Sequence, residues 1–171
     1  LGRAMCLRFA REGAAVIVNY SKSKERAKEV VDLIETMGGQ AAAIQADVSH
    51  DSQARQLIEK AVARFNRLDI LINNAGWTRF SPHNELEKLS EDILENTWSV
   101  IVKAPIYCTR AAVPHLRKTG AGSVINITSS AAYTATGRSV IYCAAKDALA
   151  SITKALAWAL DDEIRVNGIA S

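Results

Sequence analysis

Ala15-Val16-Ile17-Val18-Asn19 is the stretch that decides the fold. Its apolar run leaves no side for solvent, the pattern of a strand inside a parallel sheet covered by helices on both faces. The flanks carry the helical period that such a strand requires. Upstream, Met5, Leu7, Phe9 and Ala10 between Gly2 and Glu12 predict a short buried helix closed by Gly13. Downstream, Lys22 to Met37 alternates charge with Ala27, Val30, Val31 and Ile34 at helical spacing and stops at Gly38-Gly39, as an amphipathic surface helix does.

The alternation of strand and helix continues along the chain. Ala41 to Ala46 is expected as a strand, followed by a helix to about Phe65 that Asp51 or Ser49 can cap, and then by a strand from Leu68 to Asn73. A polar loop containing Pro82 leads to a long helix from about Ser90 to Arg117, kinked near Pro105. Ser123 to Thr128 reads as strand, Ser129 to Gly137 as a loop of small residues, the Tyr142 region as a helix ending near Asp161, and Ile164 to Ile169 as the final strand. Strands joined by helical crossovers give an α/β fold, one domain over residues 1–171, with a doubly wound parallel sheet. Such sheets bind ligands beyond the carboxyl ends of their strands. The polar clusters Asn19-Tyr20-Ser21, Asp47-Val48, Asn73 to Gly76, Thr128 to Ser130 and Ala170-Ser171 all fall there.

Composition narrows the function classes. At 171 residues, 49% hydrophobic and 6% aromatic, the chain can bury one aliphatic core. The net charge of +3 comes from 21 basic and 18 acidic residues that interleave without a dense run, which argues against nucleic-acid binding. Cys6, Cys108 and Cys143 lie far apart in apolar helical contexts and read as reduced thiols of a cytoplasmic protein. No apolar run is long enough to span a bilayer. His50, His83 and His115 lack ligand spacing, so no metal is expected, and no GxSxG elbow precedes a helix. Trp77, Trp98 and Trp158 read as packing or rim residues. Both ends read as cut: the first residue is Leu1, Gly2 to Met5 already reads as a helix entry, and Arg165 to Ser171 reads as a strand that stops as it leaves the sheet.

Tyr142-Cys143-Ala144-Ala145-Lys146 opens an Ala-rich helical run. The spacing of four puts both side chains on one face, where an ammonium can favour the ionised phenol. A phenol of pKa about 10 is otherwise poorly suited to proton transfer at neutral pH. The same spacing also suits a half-buried Tyr beside a solvated Lys.

Taken together, Asn73-Asn74-Ala75-Gly76 after a strand, Ser129 thirteen residues before Tyr142, YxxxK and Arg165-Val166-Asn167 resemble the short-chain dehydrogenase/reductases, and within them the 3-oxoacyl-(acyl-carrier-protein) reductase-like group. The resemblance covers all 171 residues and implies a Rossmann-type fold. It implies that Ser129, Tyr142 and Lys146 carry the chemistry: Tyr142 donates a proton to a carbonyl oxygen, Ser129 hydrogen-bonds that oxygen, and Lys146 lowers the Tyr pKa and holds the nicotinamide ribose. It places Asn73, Asn74, Ala75 and Gly76 along the adenosine half of the cofactor, Asp47 and Val48 against the adenine, and Gly2 as the last glycine of a TGxxxGxG phosphate motif whose earlier part does not occur here. Where an NAD enzyme carries an acid for the ribose hydroxyls stands Tyr20, followed by Ser21 and Lys22, so NADP is favoured over NAD. The implied function is hydride transfer between NADP and a carbonyl or alcohol: a 3-oxoacyl thioester, a ketone or a polyol. The implied assembly is a homo-oligomer, dimer or tetramer.

One position departs from the family. Ile101 stands where an Asn usually anchors a relay water, and Asn96 is a conceivable substitute, though it faces differently on the helix. Ile101 motivates the alternative of a non-catalytic or weakly active NADP-binding, scaffolding homologue. In the usual strand order, a further strand ahead of Gly2 belongs between Ala15–Asn19 and Leu68–Asn73.

Overall fold

A computed structural model describes residues 1–160 and 162–171. The elements alternate as α1 (Gly2–Arg11), β1 (Val16–Tyr20), α2 (Lys24–Thr36), β2 (Ala41–Gln45), α3 (Asp51–Phe65) and β3 (Ile70–Asn73). After a 3₁₀ turn at Leu86–Lys88 come α4 (Glu91–Trp98), α5 (Ala104–Arg117), β4 (Gly122–Thr128), α6 (Ala131–Thr134), α7 (Val140–Leu160) and β5 (Ile164–Ala170). The fold is α/β, as the alternation requires. Every strand pairing is parallel, and the strands form two sheets, β1-β2 and β3-β4-β5. β1 and β3 share no ladder, so each keeps an open inner edge.

Side-chain pattern accounts for the layers. α2 turns Ala27, Val30 and Ile34 inward against Val18 of β1, Ala41 of β2 and Ala10 of α1. A second core joins Ile58 of α3, Ala112 and Leu116 of α5, Val124 of β4, and Ile164 and Val166 of β5. β4 is buried along its length except for half-buried Ile125, as befits the strand with neighbours on both sides. Gly38 takes a φ of +78° after α2, which a side chain would resist. The cysteines are free, and burial pushes the Cys108 thiol up to about 12.

Several expectations need correction. α1 buries only Ala10 fully, leaving Met5, Leu7 and Phe9 half-buried. α3 is capped by neither Ser49 nor Asp51: His50 holds the cap position, while the Ser49 hydroxyl is engaged by the Asp47 carboxylate at 2.6 Å. The long helix is broken by a π-helical turn, Ser99–Lys103, in which the Ala104 N–H reaches the Ser99 carbonyl five residues back. Pro105 explains the place, because it cannot donate to the carbonyl four residues earlier and the turn ahead of it widens. The expected loop Ser129–Gly137 holds the short helix α6. The expected helix end near Asp161 lies outside the described residues. Of the two readings given to the tryptophans, packing or rim, the exposure fits the rim: Trp77 and Trp98 are partly exposed and Trp158 is 89% exposed.

Candidate active site

Ser129 follows the last residue of β4 and is buried. Its hydroxyl donates to the Ser171 carbonyl at 3.2 Å and accepts the Ala131 N–H at 3.3 Å, opening α6. Across from it, the Ser139 hydroxyl accepts the Tyr142 N–H at 3.3 Å, an N-cap that fixes Tyr142 in the first turn of α7. Gly137 lets the two helices close up, for a Cβ there would meet Ala131 Cβ at 3.1 Å and Tyr142 Cδ1 at 3.7 Å. Two further contacts tie the loop after β3 to this cap: Thr78 Oγ1 lies 3.3 Å from Ser139 Oγ, and the Ser81 N–H donates to the Arg138 carbonyl at 2.9 Å.

Tyr142 is half-buried, and Lys146, one turn on, is only 5% exposed. The Lys146 Nζ donates to the Ile127 carbonyl at 2.6 Å and sits 5.8 Å from the centre of the Tyr142 ring. Burial holds its pKa below the ordinary lysine value. A solvated lysine is therefore not what this spacing produced. The arrangement places a buried cation beside a phenol at the mouth of a parallel sheet, which suits proton transfer.

The other residues singled out from sequence gather in two groups. Gly2 opens α1 directly against the loop after β3: a Cβ on Gly2 would lie 2.9 Å from Asn74 Nδ2. Ala75 and Gly76 are exposed beyond it, while the Asn73 side chain turns inward to Asn126 at 2.8 Å and Thr109 at 3.3 Å. The second group lies at the ends of β1 and β2. The Asn19 amide donates to the Ile44 and Ala46 carbonyls at 3.2 and 3.0 Å, tying the two strands. Tyr20 and Val48 are half-buried, and Ser21 and Lys22 exposed. Asp47 accepts the Ser49 hydroxyl, which, with lesser help from His50 and Lys22, holds its carboxyl below the usual range. Lys22 follows the end of β1 and Asp47 the end of the neighbouring β2. A close glycine at a helix start beside an exposed loop, together with a hydroxyl and a cation beyond the end of β1, fits a dinucleotide.

Ile101 is fully enclosed, packed with Val102, Ala145 and Leu149, with Tyr142 alongside. Asn96 is exposed on the outer side of α4 and does not replace it. Sequence reasoning missed Ser139, Asn126 and Thr153. A polar residue inside the apolar run Val124-Ile125-Asn126-Ile127 was the available signal for Asn126. Among the described residues, no group of His, Cys, Asp and Glu could hold a metal ion, and no helix is long and apolar enough to cross a membrane.

An uncharacterised oxidoreductase of Thermotoga maritima is 39% identical over 170 residues, covering 99% of this chain and 65% of its own length. The 3-oxoacyl-(acyl-carrier-protein) reductase of Staphylococcus aureus is 33% identical, over 99% of this chain and 68% of its own. A short chain dehydrogenase of Burkholderia cenocepacia, solved in complex with NADP, superposes with a TM-score of 0.90 at 35% identity, covering 99% of this chain and 69% of that one. The chain thus spans about two-thirds of the length of the relatives it matches. The profile of the short chain dehydrogenases matches residues 1–171 in full, and the chain belongs to that family.

Proposed function

We propose that this chain is the cofactor-binding and proton-transferring part of an NADP-dependent reductase that interconverts a carbonyl and an alcohol. The observation that carries it is the Tyr142–Lys146 pair: a buried amine pinned 5.8 Å from the phenol ring, on the helix that packs against β4, whose end bears Ser129. NADP, when bound, supplies or accepts the hydride. Tyr142 gives the carbonyl oxygen its proton, Ser129 hydrogen-bonds that oxygen, and Lys146 favours the phenolate left behind while reaching the ribose with its remaining donors. Run in reverse, the same groups oxidise an alcohol. Gly2 and Asn74 to Gly76 line the dinucleotide, with Asn73 holding their loop through its inward hydrogen bonds; Asp47 and Val48 line the adenine, and Tyr20, Ser21 and Lys22 the 2′-phosphate. NADP is supported by the cation at Lys22, by the lack of an acid at Tyr20, and by the NADP complex of the Burkholderia cenocepacia relative.

The substrate class is a 3-oxoacyl thioester, a ketone or a polyol, the first supported by the name of the Staphylococcus aureus relative. A homo-oligomer assembled through α4, α5 and α7 is supported by the apolar residues they expose: Leu94, Trp98, Ile106 and Trp158. Ile101 favours a second reading, an NADP-binding member without turnover, because its side chain offers no polar atom beside α7.

Turnover of a carbonyl panel and NADPH fluorescence on binding separate these readings. Tyr142→Phe should lose about 100-fold or more of the reduction rate, the lower bound for a positioned proton donor, and keep NADPH binding. A Tyr142→Phe protein that retains most of its rate sinks the assignment. Wild-type protein that binds NADPH and reduces nothing establishes the second reading.

A further inference from the structure

Asn126, at the middle of β4, is fully enclosed, and the reaction outlined above gives it no part. Its carboxamide is the centre of a directed chain of hydrogen bonds. The Thr153 hydroxyl donates to the Leu149 carbonyl at 2.7 Å, so its one proton is spent and it can only accept from Asn126 Nδ2, at 2.9 Å. That fixes the amide with its nitrogen towards α7 and its oxygen towards β3, where it accepts Asn73 Nδ2 at 2.8 Å. Asn73 Nδ2 also reaches Thr109 Oγ1 of α5 at 3.3 Å. Reversing the Asn126 amide would set its donors against those of Asn73, and reversing the Asn73 amide would set acceptor against acceptor, in a site without water-facing alternatives.

The chain of bonds joins the elements that bear the candidate site. Asn73 opens the Asn73–Gly76 loop. Thr153 lies seven residues after Lys146, two helical turns along the same face of α7. Lys146 itself donates to Ile127, the residue after Asn126. α7 is therefore pinned to β4 at two adjacent strand positions, and β4 runs on into Ser129. Apolar contact alone resists sliding weakly, because one small aliphatic side chain replaces another with little loss; a buried polar partner with one possible mate does not allow it.

We infer that Asn126 and Thr153 are positioning residues, which set the register of α7 on β4 and thereby hold Tyr142 and Lys146 opposite Ser129. This rests on the assignment of those three residues made above. Asn126 acts through Thr153 and touches neither substrate nor cofactor.

The test uses Thr153→Val, which keeps the shape and removes the hydroxyl, and Thr153→Ser, which keeps the hydroxyl, in protein expressed from its complete natural gene. With a carbonyl substrate of the wild type, Thr153→Val should lose about 10- to 100-fold in kcat, as expected of a misplacement near 1 Å, with KM for NADPH within about twofold; Thr153→Ser should recover most of the loss. A second readout needs no turnover. In protein labelled with ¹³Cζ-tyrosine, the Tyr142 resonance, assigned by its absence in Tyr142→Phe, should titrate at a displaced pH in Thr153→Val and return in Thr153→Ser. Unchanged kcat and titration in Thr153→Val, with only a lower melting temperature, would make the network a packing device and overturn the inference. Thr153→Ala is read in the same way should Thr153→Val not fold. A wild type that reduces nothing defeats the proposed function, while the tyrosine titration still decides the register.

Discussion

Lys146 carries its charge where burial opposes it, with the Ile127 carbonyl as its hydrogen-bond partner. The depressed pKa has a consequence for stability. Between the folded value and the unfolded value of about 10.4, the unfolded chain holds the proton that the folded one has released, so stability rises with pH across that window. The gain is complete above the unfolded pKa and is lost as the pH falls through the folded one. Urea unfolding from neutral pH to about pH 10.5 should therefore show the wild type gaining on Lys146→Met as the pH rises. Parallel curves would mean that the amine meets no burial cost. Ile101 makes the opposite case, an apolar side chain fully enclosed among apolar neighbours. Ile101→Asn puts a carboxamide among Val102, Ala145 and Leu149 and should cost about 2 to 5 kcal/mol, read as a lower urea midpoint. Raised turnover at an unchanged midpoint would show instead that the pocket takes a polar group and that a water path had been limiting.

Ser139 belongs to the scale of the element, since α7 owes its first turn to it. Ser139→Ala removes the acceptor of the Tyr142 N–H and should cost about 1 kcal/mol, whereas Ser139→Asp should keep most of it; thermal unfolding distinguishes them. A null result would place the start of α7 under the control of the Thr78 and Ser81 contacts alone. The elements were legible wherever a period repeated: the strands differ from expectation by a residue or two, and α2 and α7 stand on their apolar stripes. What escaped was decided by competition or by distance. Ser49 is a good cap residue, but the Asp47 carboxylate takes its hydroxyl. The residues of α6 carry no period because the helix is a single turn. Pro105 marked a break without revealing that the preceding turn widens. In the site, the spacing of Tyr142 and Lys146 put both on one face of α7, but a backbone carbonyl as the partner of Lys146 leaves no trace in sequence. Nor does the pairing of Asn126 with Thr153, 27 residues apart.

The whole molecule is set by the division of its strands. β1 and β2 share a small core with α1 and α2, whereas β4 has a strand on each side and a larger core from α3, α5 and α7. The inner edges of β1 and β3 carry unpaired backbone groups, each costing about 1 to 3 kcal/mol where water cannot reach it. Gly2 shows how these edges would be joined. It lies against Asn74, just past the carboxyl end of β3, so a strand leading into α1 would end there and run alongside β3 in the parallel sense. On its other side it would meet β1. Amide hydrogen exchange should read this division directly: in the 171-residue chain, Val16–Tyr20 and Ala41–Gln45 should exchange at least about tenfold faster than Gly122–Thr128, because the smaller half opens at lower free energy. Adding a five-residue apolar strand and a Gly-containing turn ahead of Leu1 should slow exchange in β1 and β3 together, since one insertion pairs both edges. Equal protection of the two sheets before the addition, or slowing confined to one edge after it, would mean that the halves are held together by their helices and that the edges were never the weak point.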